Sequence, residues 1–357
     1  MVQFIKHIAK GGSALKPPSQ LGFRMPAEWE PHAGTWLTWP RADGISFPGL
    51  YDRIPTVFAT IVRVLSAGEG VYINVWDSTM EQEVRSVLQT HDALNHNVEF
   101  FHHQAYEPWC RDHGPLFIKN KTTRAITNWE YNAWGEKYPP FDLDNQIPAH
   151  IAHQRHLECF TPQMVLEGGS VEINGTGTLL TTESCLLNPN RNPGLSKTEI
   201  ENRLCDYLGV TNIIWLKKGI SGDDTDGHID NLTRFVDPQT VVTVMEEEST
   251  DENHDLLQDN LKQLRGAKTE NGTSLRIIEL PMPGLVEHEG ERLPASYANF
   301  YIGNSSVLLP TYNHPNDLAA KKILQNCFSD REIIDIDSTH LAWGLGSFHC
   351  LTQQEPA

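Results

Sequence analysis

Short runs rich in aliphatic and β-branched residues alternate along this chain with stretches whose apolar positions recur at helical spacing, and the alternation itself repeats. Residues 170–174, a turn at Gly175-Thr-Gly177 and residues 178–182 predict a hairpin, followed by a helix over 197–208 and a strand over 212–216. The order is β-β-α-β. It returns with strands over 232–236 and 240–245, a turn at Asp237-Pro238, a helix near 254–266 and a strand over 275–280. A third copy has strands over 298–302 and 307–310 around Gly303-Asn304, a helix near 317–327 and a strand over 332–336.

The second strands of these copies begin at 178, 240 and 306–307, a step of about 60 residues. Extended backward, that step makes 114–118 another opening strand and 34–39 the earliest, the latter followed by a helix over 55–67 and a strand over 71–76. Five such units fit the length. Units that each leave an apolar face uncovered must pack on their neighbours, and five that close on themselves leave no orphan edge. The expected fold is therefore α/β, a five-bladed propeller of ββαβ units around a central pocket; the alternative is an α+β domain with a few hairpins.

Position along the repeat then matters. Asp112 precedes the strand at 114, Glu167 the one at 170, His228 and Asp230 the one at 232, and Cys350 precedes Leu351-Thr-Gln. Steps of 55 and 61 residues separate Asp112, Glu167 and His228. Equivalent positions of a closed ring face one axis, so these residues are expected to meet, and the C-terminal tail to be docked rather than frayed.

Composition changes this picture little. With 39% hydrophobic and 21% charged residues the chain is ordinarily globular, and no Gly/Ser-rich or Pro-rich linker divides it, so one domain over 1–357 is expected, with 1–20 as an N-terminal extension trimmed at Pro17-Pro18. Lys6 and Lys10 interrupt the first ten residues, so a secretory apolar segment is not expected, no run approaches a membrane span, and a cytoplasmic location follows. The six cysteines (110, 159, 185, 205, 327, 350) form no Cys-x-x-Cys pair, and most are expected as buried thiols. A formal charge of −18 disfavours nucleic acid and anionic membranes as partners and favours a cationic ligand, although excess acid also simply aids solubility.

The candidate chemistry lies in four places. Cys350 follows Gly344, Gly346 and His349 close to the C-terminus, and the glycines are expected to let the backbone bend sharply and carry the thiol into the pocket. His228 stands between Asp226 and Asp230 in an acidic run. A thiol, an imidazole and spare carboxylates are the parts of a nucleophilic site that acts on a cation. In Glu107-Pro-Trp-Cys-Arg-Asp112, Trp109 precedes a carboxylate by three residues, a pairing that suits a flat guanidinium, clamped by the acid and covered by the ring; alternatively Asp112 caps a turn before Gly114-Pro115. Glu167 adds an acid at a Gly-Gly turn.

Rival readings are fewer. An EF-hand alignment on Gly227 puts Gly222 and Thr233 where acids are needed and fails. Gly344-x-Gly346 lacks the third glycine of a nucleotide loop. Cys110 is a second thiol, in a bulky context that fits packing better than attack. A metal-dependent hydrolase built on Asp223, Asp224, Asp226 and His228, and a catalytically silent propeller that binds a cation, remain open.

Four motifs, Trp109-x-Arg-Asp112-x-Gly-Pro115, Glu167-Gly-Gly-Ser170, Asp223-Asp-Thr-Asp-Gly-His-Ile-Asp-Asn231 and Gly346-Ser-Phe-His-Cys350-Leu-Thr-Gln, closely resemble, in this order, those of the agmatine deiminase and bacterial peptidyl-arginine deiminase family of the guanidino-group-modifying superfamily. The resemblance covers nearly the whole chain, including Asn132-Ala-Trp-Gly135 and the run from Tyr138 to Asn145. It implies the pentein form of the propeller, Cys350 as nucleophile, His228 as general acid and base with Glu167 as its partner, Asp112 and Asp230 as guanidinium clamps, and Trp109 and Trp134 as pocket walls. The implied reaction converts agmatine to N-carbamoylputrescine and ammonia through a thiouronium on Cys350, with no cofactor and no metal. The implied alternatives are peptidyl-arginine as substrate and, further off, free arginine or amidino transfer. The expected partners are a small cationic guanidino substrate and, in a homo-oligomer, a second copy of the chain. One departure stands out: Leu345 interrupts what is a run of glycines in many relatives.

Overall fold

The computed structural model describes residues 16–357, so residues 1–15, the greater part of the expected N-terminal extension and both Lys6 and Lys10, lie outside the described residues. The fold is α/β. Strand β1 (His32–Thr38) leads through the helix Ile54–Leu65 to β2 (Gly70–Val75), then through Ser78–Thr90 to β3 (Val98–His102). Next come β4 (Leu116–Lys119), β5 (Arg124–Thr127), the helix Ile147–Arg155 and β6 (Glu158–Phe160). The third unit is β7 (Glu172–Ile173), β8 (Thr178–Thr182), the helix Lys197–Leu208 and β9 (Asn212–Leu216). The fourth is β10 (Thr233–Asp237), β11 (Thr240–Met245), the helix His254–Gly266 and β12 (Arg276–Pro281). A small hairpin, β13 (Glu287–His288) and β14 (Glu291–Arg292), precedes the fifth: β15 (Tyr301–Ile302), β16 (Ser306–Thr311), the helix Asn316–Cys327 and β17 (Glu332–Asp337). The chain ends in β18 (Thr352–Pro356).

These strands form one four-stranded sheet, β18-β1-β2-β3, and four three-stranded sheets, β4-β5-β6, β7-β8-β9, β10-β11-β12 and β15-β16-β17, beside the β13-β14 hairpin. Every three-stranded sheet pairs its first two strands antiparallel and its second and third parallel across a helix. The middle strand is covered on both faces, so β8 and β11 are buried at every position and read as continuous apolar and threonine runs; β17 buries only Ile333 and Ile336. Helix Lys197–Leu208 shows why the boundaries are sharp. Ser196 and Glu199 form a reciprocal capping box, Ile200, Leu204 and Leu208 make the buried stripe, and Gly209 ends it at φ +69, where a Cβ would meet Phe23 O at 2.5 Å.

The first unit differs from expectation. Strand β1 takes the second position of its sheet, not the opening one, and the opening position belongs to β18, antiparallel to β1 with Trp36 opposite Gln353. The tail is thereby docked. Glu355 accepts hydrogen bonds from Trp36 Nε1 at 2.9 Å, Arg124 at 2.9 Å and Arg155 at 3.1 Å. The helix Ser78–Thr90 and β3 extend this sheet without a counterpart in the predicted unit; that helix buries only Val84 and Leu88, too thin a stripe to stand out. No helix among the described residues is long and apolar enough to cross a membrane.

Candidate active site

Each of the five larger sheets is entered through a short turn, and the turns of Asp112 and Cys350 reach one cavity. Asp112 lies on the helical turn Cys110–His113 before β4, and Glu167 precedes the turn Gly168–Ser170 before β7. His228 and Asp230 flank Ile229 at the turn before β10, and Cys350 lies on the turn Phe348–Leu351 before β18. The fifth turn, before β15, carries Asn299. All six side chains are buried. The turns touch closely enough to require glycine: a Cβ on Gly168 would lie 2.2 Å from Arg111 O, and one on Gly169 would meet His228 Nδ1 at 2.5 Å, Asp112 Oδ1 at 2.8 Å and Asp230 Oδ2 at 3.0 Å. Imidazole and both aspartates therefore converge on one point.

Around that point the polar geometry is explicit. Asp112 accepts from Gly169 N–H through Oδ1 at 2.9 Å and from Trp134 Nε1 through Oδ2 at 3.0 Å, and its Oδ1 stands 3.7 Å from His228 Nδ1. The Cys350 thiol points at Asp230 Oδ2, 3.6 Å away, and receives a hydrogen bond from Asn299 Nδ2 at 3.1 Å. Asn299 Oδ1 accepts the N–H groups of His349 and Cys350 at 3.1 and 3.3 Å. Asp230 Oδ1, both ring nitrogens of His228 and Glu167 Oε2 are buried without a hydrogen-bond partner among the described residues, a concentration of unmet polar groups that a bound ligand would resolve.

Burial pushes the Cys350 thiol well above its ordinary range, and Asp230 and Asp112 push the same way. Asp112 is pushed up to about 6 by burial, with Asp230 and Glu167 adding to the shift and His228 opposing it. For His228 burial works against the charged form, but Asp112, the adjoining Cys185 and Asp230 outweigh it, and the imidazole is raised well above its ordinary value. A cation placed here would reverse the carboxylate effect on the thiol and favour its ionisation.

Below Asp230 lies a chain of charges. His349 bridges Asp230 Oδ2 at 2.7 Å and Glu28 Oε2 at 2.9 Å; Glu28 also meets Arg111 at 3.1 Å and Arg234 at 2.8 Å, and Arg234 meets Glu172 at 2.8 Å. No member is more than 5% exposed. Arg191 fixes Glu167 Oε1 at 2.6 Å and reaches Asp226 at 2.7 Å. Sequence reading missed Asn299, Glu28, Arg234, Arg191 and Cys185. Only Asn299 carried a usable signal, its place before an opening strand.

The cavity above these groups holds about 160 Å3, with Trp109, Trp134, Gly344 and Cys350 among its walls. The glycines near Cys350 do not bend the chain as expected. Leu345 between them holds the left-handed conformation, φ +69, while Gly344 and Gly346 make room for rings: their Cβ atoms would lie 2.5 Å from Phe47 and from Trp109. Trp134 sits in a run of left-handed residues from Ala133 to Glu136.

Other predicted groups fall elsewhere. Cys110 is buried beneath Gly114, and burial pushes its thiol up to about 12. The acidic run is engaged by protein: Asp223 accepts from Thr225 and His228 N–H, Asp224 from Lys137 and Tyr138, and Asp226 from Arg191, Asn190 and Lys137. Among the described residues, Glu167, Cys185 and His228 place ligand-type atoms within 4.8 Å of one another, but Arg191 already occupies one Glu167 oxygen beside them and opposes a cation there.

This arrangement has relatives. The model of the Porphyromonas-type peptidyl-arginine deiminase family matches residues 24–356. An agmatine deiminase of Pseudomonas aeruginosa is 36% identical over 365 residues, 95% of this chain and 97% of the relative. The solved agmatine deiminase of Enterococcus faecalis superposes with a TM-score of 0.90 at 30% identity, covering 96% of this chain and 98% of its own. That of C. jejuni with substrate bound gives 0.86 at 31%, covering 94% and 96%. With one family model spanning almost every described residue and full-length relatives of the same kind, the chain belongs to the Porphyromonas-type peptidyl-arginine deiminase family, together with the agmatine deiminases.

Proposed function

We propose that this protein hydrolyses the guanidinium of agmatine to N-carbamoylputrescine and ammonia. The observation that carries the reading is the convergence of the Cys350 thiol, Asp230, Asp112 and His228 on one buried point beside a cavity of about 160 Å3, in a chain whose full-length relatives bear that activity in their names.

A guanidinium is a poor electrophile because its charge is delocalised and it stays protonated at any physiological pH. Asp112 and Asp230 hold its nitrogens, and the Asp230 oxygen without a partner accepts one of them. The bound cation lowers the Cys350 pKa, and the thiolate attacks the central carbon, forming a C–S bond. His228, kept cationic by Asp112, Cys185 and Asp230, gives its proton to the departing nitrogen; the C–N bond breaks and ammonia leaves a thiouronium on Cys350. His228, now neutral, takes a proton from water, whose oxygen attacks the same carbon. The C–S bond breaks, and the ureido product and thiolate are released.

The five entry turns, whose buried side chains gather beside one cavity, support five sheets standing as blades about a common axis, within one domain over the described residues. Six free thiols support a reducing compartment, the cytoplasm. The family model's own description favours peptidyl-arginine as second reading. Ammonia release from agmatine, free arginine and an arginine peptide, measured side by side, separates them: agmatine is expected to exceed the others by orders of magnitude in kcat/KM, and preference for the peptide would overturn the substrate assignment. Cys350→Ser should abolish turnover with the fold intact.

A further inference from the structure

Three carboxylates line the cavity, and their engagement differs. Asp112 stands at the inner end with His228. Asp224 accepts the Tyr138 hydroxyl and lies 3.3 Å from Lys137 Nζ, so its charge already has a protein cation. Glu107 is 5% exposed, its carboxylate accepts a hydrogen bond from the Ser46 hydroxyl, and among the described residues that carboxylate forms no ion pair with a lysine, arginine or histidine; His113 Nε2, at 3.0 Å, meets only its backbone oxygen. Trp109 Nε1 donates to the same Ser46 oxygen at 2.9 Å. Indole, hydroxyl and carboxylate thus form one fixed unit on the cavity wall. The neighbouring Ile45, also a lining residue, is 54% exposed, which places this unit toward the outer end.

We propose that Glu107 receives the distal cationic group of the substrate and so selects a guanidine that ends in a primary amine over one that ends in a carboxylate or a neutral group. This rests on the deiminase reading above and adds the residue that reads the far end of the ligand. The chemistry requires such a group: an ammonium drawn into a partly desolvated cavity loses hydration that a neutral wall cannot replace. Glu107 is the lining carboxylate with no cation of its own, and burial, opposed only by Ser46 and Arg41, pushes it up to about 7, as expected of an acid that lacks a close counter-charge. Free arginine would bring a carboxylate beside its ammonium toward the same acid, and the repulsion of the one offsets the attraction of the other. The indole that carries the relay also covers the cavity, so the two ends of the ligand are read by one rigid wall.

The test compares agmatine with butylguanidine, which has the same guanidinium and carbon chain but no amine, in wild type and in Glu107→Gln, with thermal melts on each protein. Wild type is expected to favour agmatine by about 10- to 100-fold in kcat/KM, carried mainly by KM, and Glu107→Gln to bring the ratio close to one. Glu107→Asp, which keeps the charge, should fall between. Asp224→Asn should leave the ratio unchanged. Equal kcat/KM for the two guanidines in wild type overturns the proposal without any variant, so a Gln variant that fails to fold does not shelter it. A ratio that collapses in Asp224→Asn and persists in Glu107→Gln also overturns it. If wild type releases ammonia from neither guanidine, the deiminase reading fails first and takes this one with it; activity on both with no discrimination removes only the role of Glu107.

Discussion

Asp112 and Asp230 are the same residue type, both fully buried, on equivalent turns that enter β4 and β10, yet their surroundings drive them apart. Asp230 rests on the charged chain of His349, Glu28, Arg111 and Arg234. Although burial opposes it, His349 and His228 hold its carboxyl below the usual range. Asp112 has only neutral hydrogen-bond donors, an indole and a backbone N–H, and burial wins: it is pushed up to about 6. The lesson is that the groups an acid is hydrogen-bonded to, rather than its depth, decide how readily it is ionised before a ligand arrives. One clamp is a standing anion; the other completes its ionisation when a cation binds.

Neutralising each in turn breaks this comparison most directly. Asp230→Asn removes the buried acceptor of His349 Nδ1 and is expected to cost about 3–5 kcal/mol of stability, with agmatine turnover down by two to three orders of magnitude. Asp112→Asn should lose activity to a similar degree but stability far less, since it exchanges one neutral hydrogen bond for relief of a buried charge. Their pH dependence has opposite sign. A raised acid binds its proton more tightly in the folded state, so Asp112 favours folding below the unfolded aspartate pKa, and that contribution fades as pH rises through about 6. Asp230, being lowered, contributes stability above the unfolded pKa that is lost as pH falls through its own. Thermal melts should therefore show wild type gaining on Asp112→Asn as pH falls from 7 to 4, and losing its lead over Asp230→Asn only as pH falls further, below the unfolded aspartate pKa; parallel curves would erase the distinction.

The point where the two sides meet is Gly169, whose missing Cβ leaves space for His228 Nδ1 and both carboxylates. Gly169→Ala is expected to displace them by a fraction of an ångström or more, lowering kcat about 100-fold at a stability cost of about 1–3 kcal/mol. A variant with full activity would mean that the convergence tolerates a shift, and that the difference between the aspartates is not tied to catalysis.

What could be read from the chain follows the same physics. Helices with caps and a broad apolar stripe, such as Lys197–Leu208, and middle strands buried on both faces announce themselves locally, and their 60-residue spacing exposed the units. The first sheet hid its opening strand because β18 comes from the other end of the chain, a pairing that no local pattern carries. Cys350, His228, Asp112 and Glu167 stood out by residue type at repeat positions, whereas Glu28, Arg234 and Arg191 act through contacts across hundreds or tens of residues and look like ordinary surface charges in a linear reading. Gly344 and Gly346 were visible, but their cause was not: packing against Trp109 and Phe47 depends on rings that arrive from distant segments.

Asn299 sharpens the comparison on the Asp230 side. It holds the Cys350 sulfur and the backbone of the nucleophile turn at once, and its Nδ2 also reaches Asn231 Oδ1 at 2.9 Å. Asn299→Ala should lower kcat about tenfold to a hundredfold with a smaller change in KM, and cost about 1–3 kcal/mol through the buried groups it orphans. A change in KM alone would assign it to ligand binding instead.

The smallest effect is expected at Cys110, two residues before Asp112 and therefore on the neutral side of the site. Its thiol is pushed up to about 12 by burial and sits among core residues beneath Gly114, with no cation to draw it into ionisation beyond the distant pull of Arg111. Cys110→Ala removes one buried sulfur, a loss of about 1 kcal/mol, and should leave agmatine turnover near wild type. A haloacetamidine, which presents the same planar cation, should label Cys350 in wild type and in this variant alike. Labelling that disappears with Cys110 would move the nucleophile to the Asp112 side and invert the roles assigned to the two aspartates.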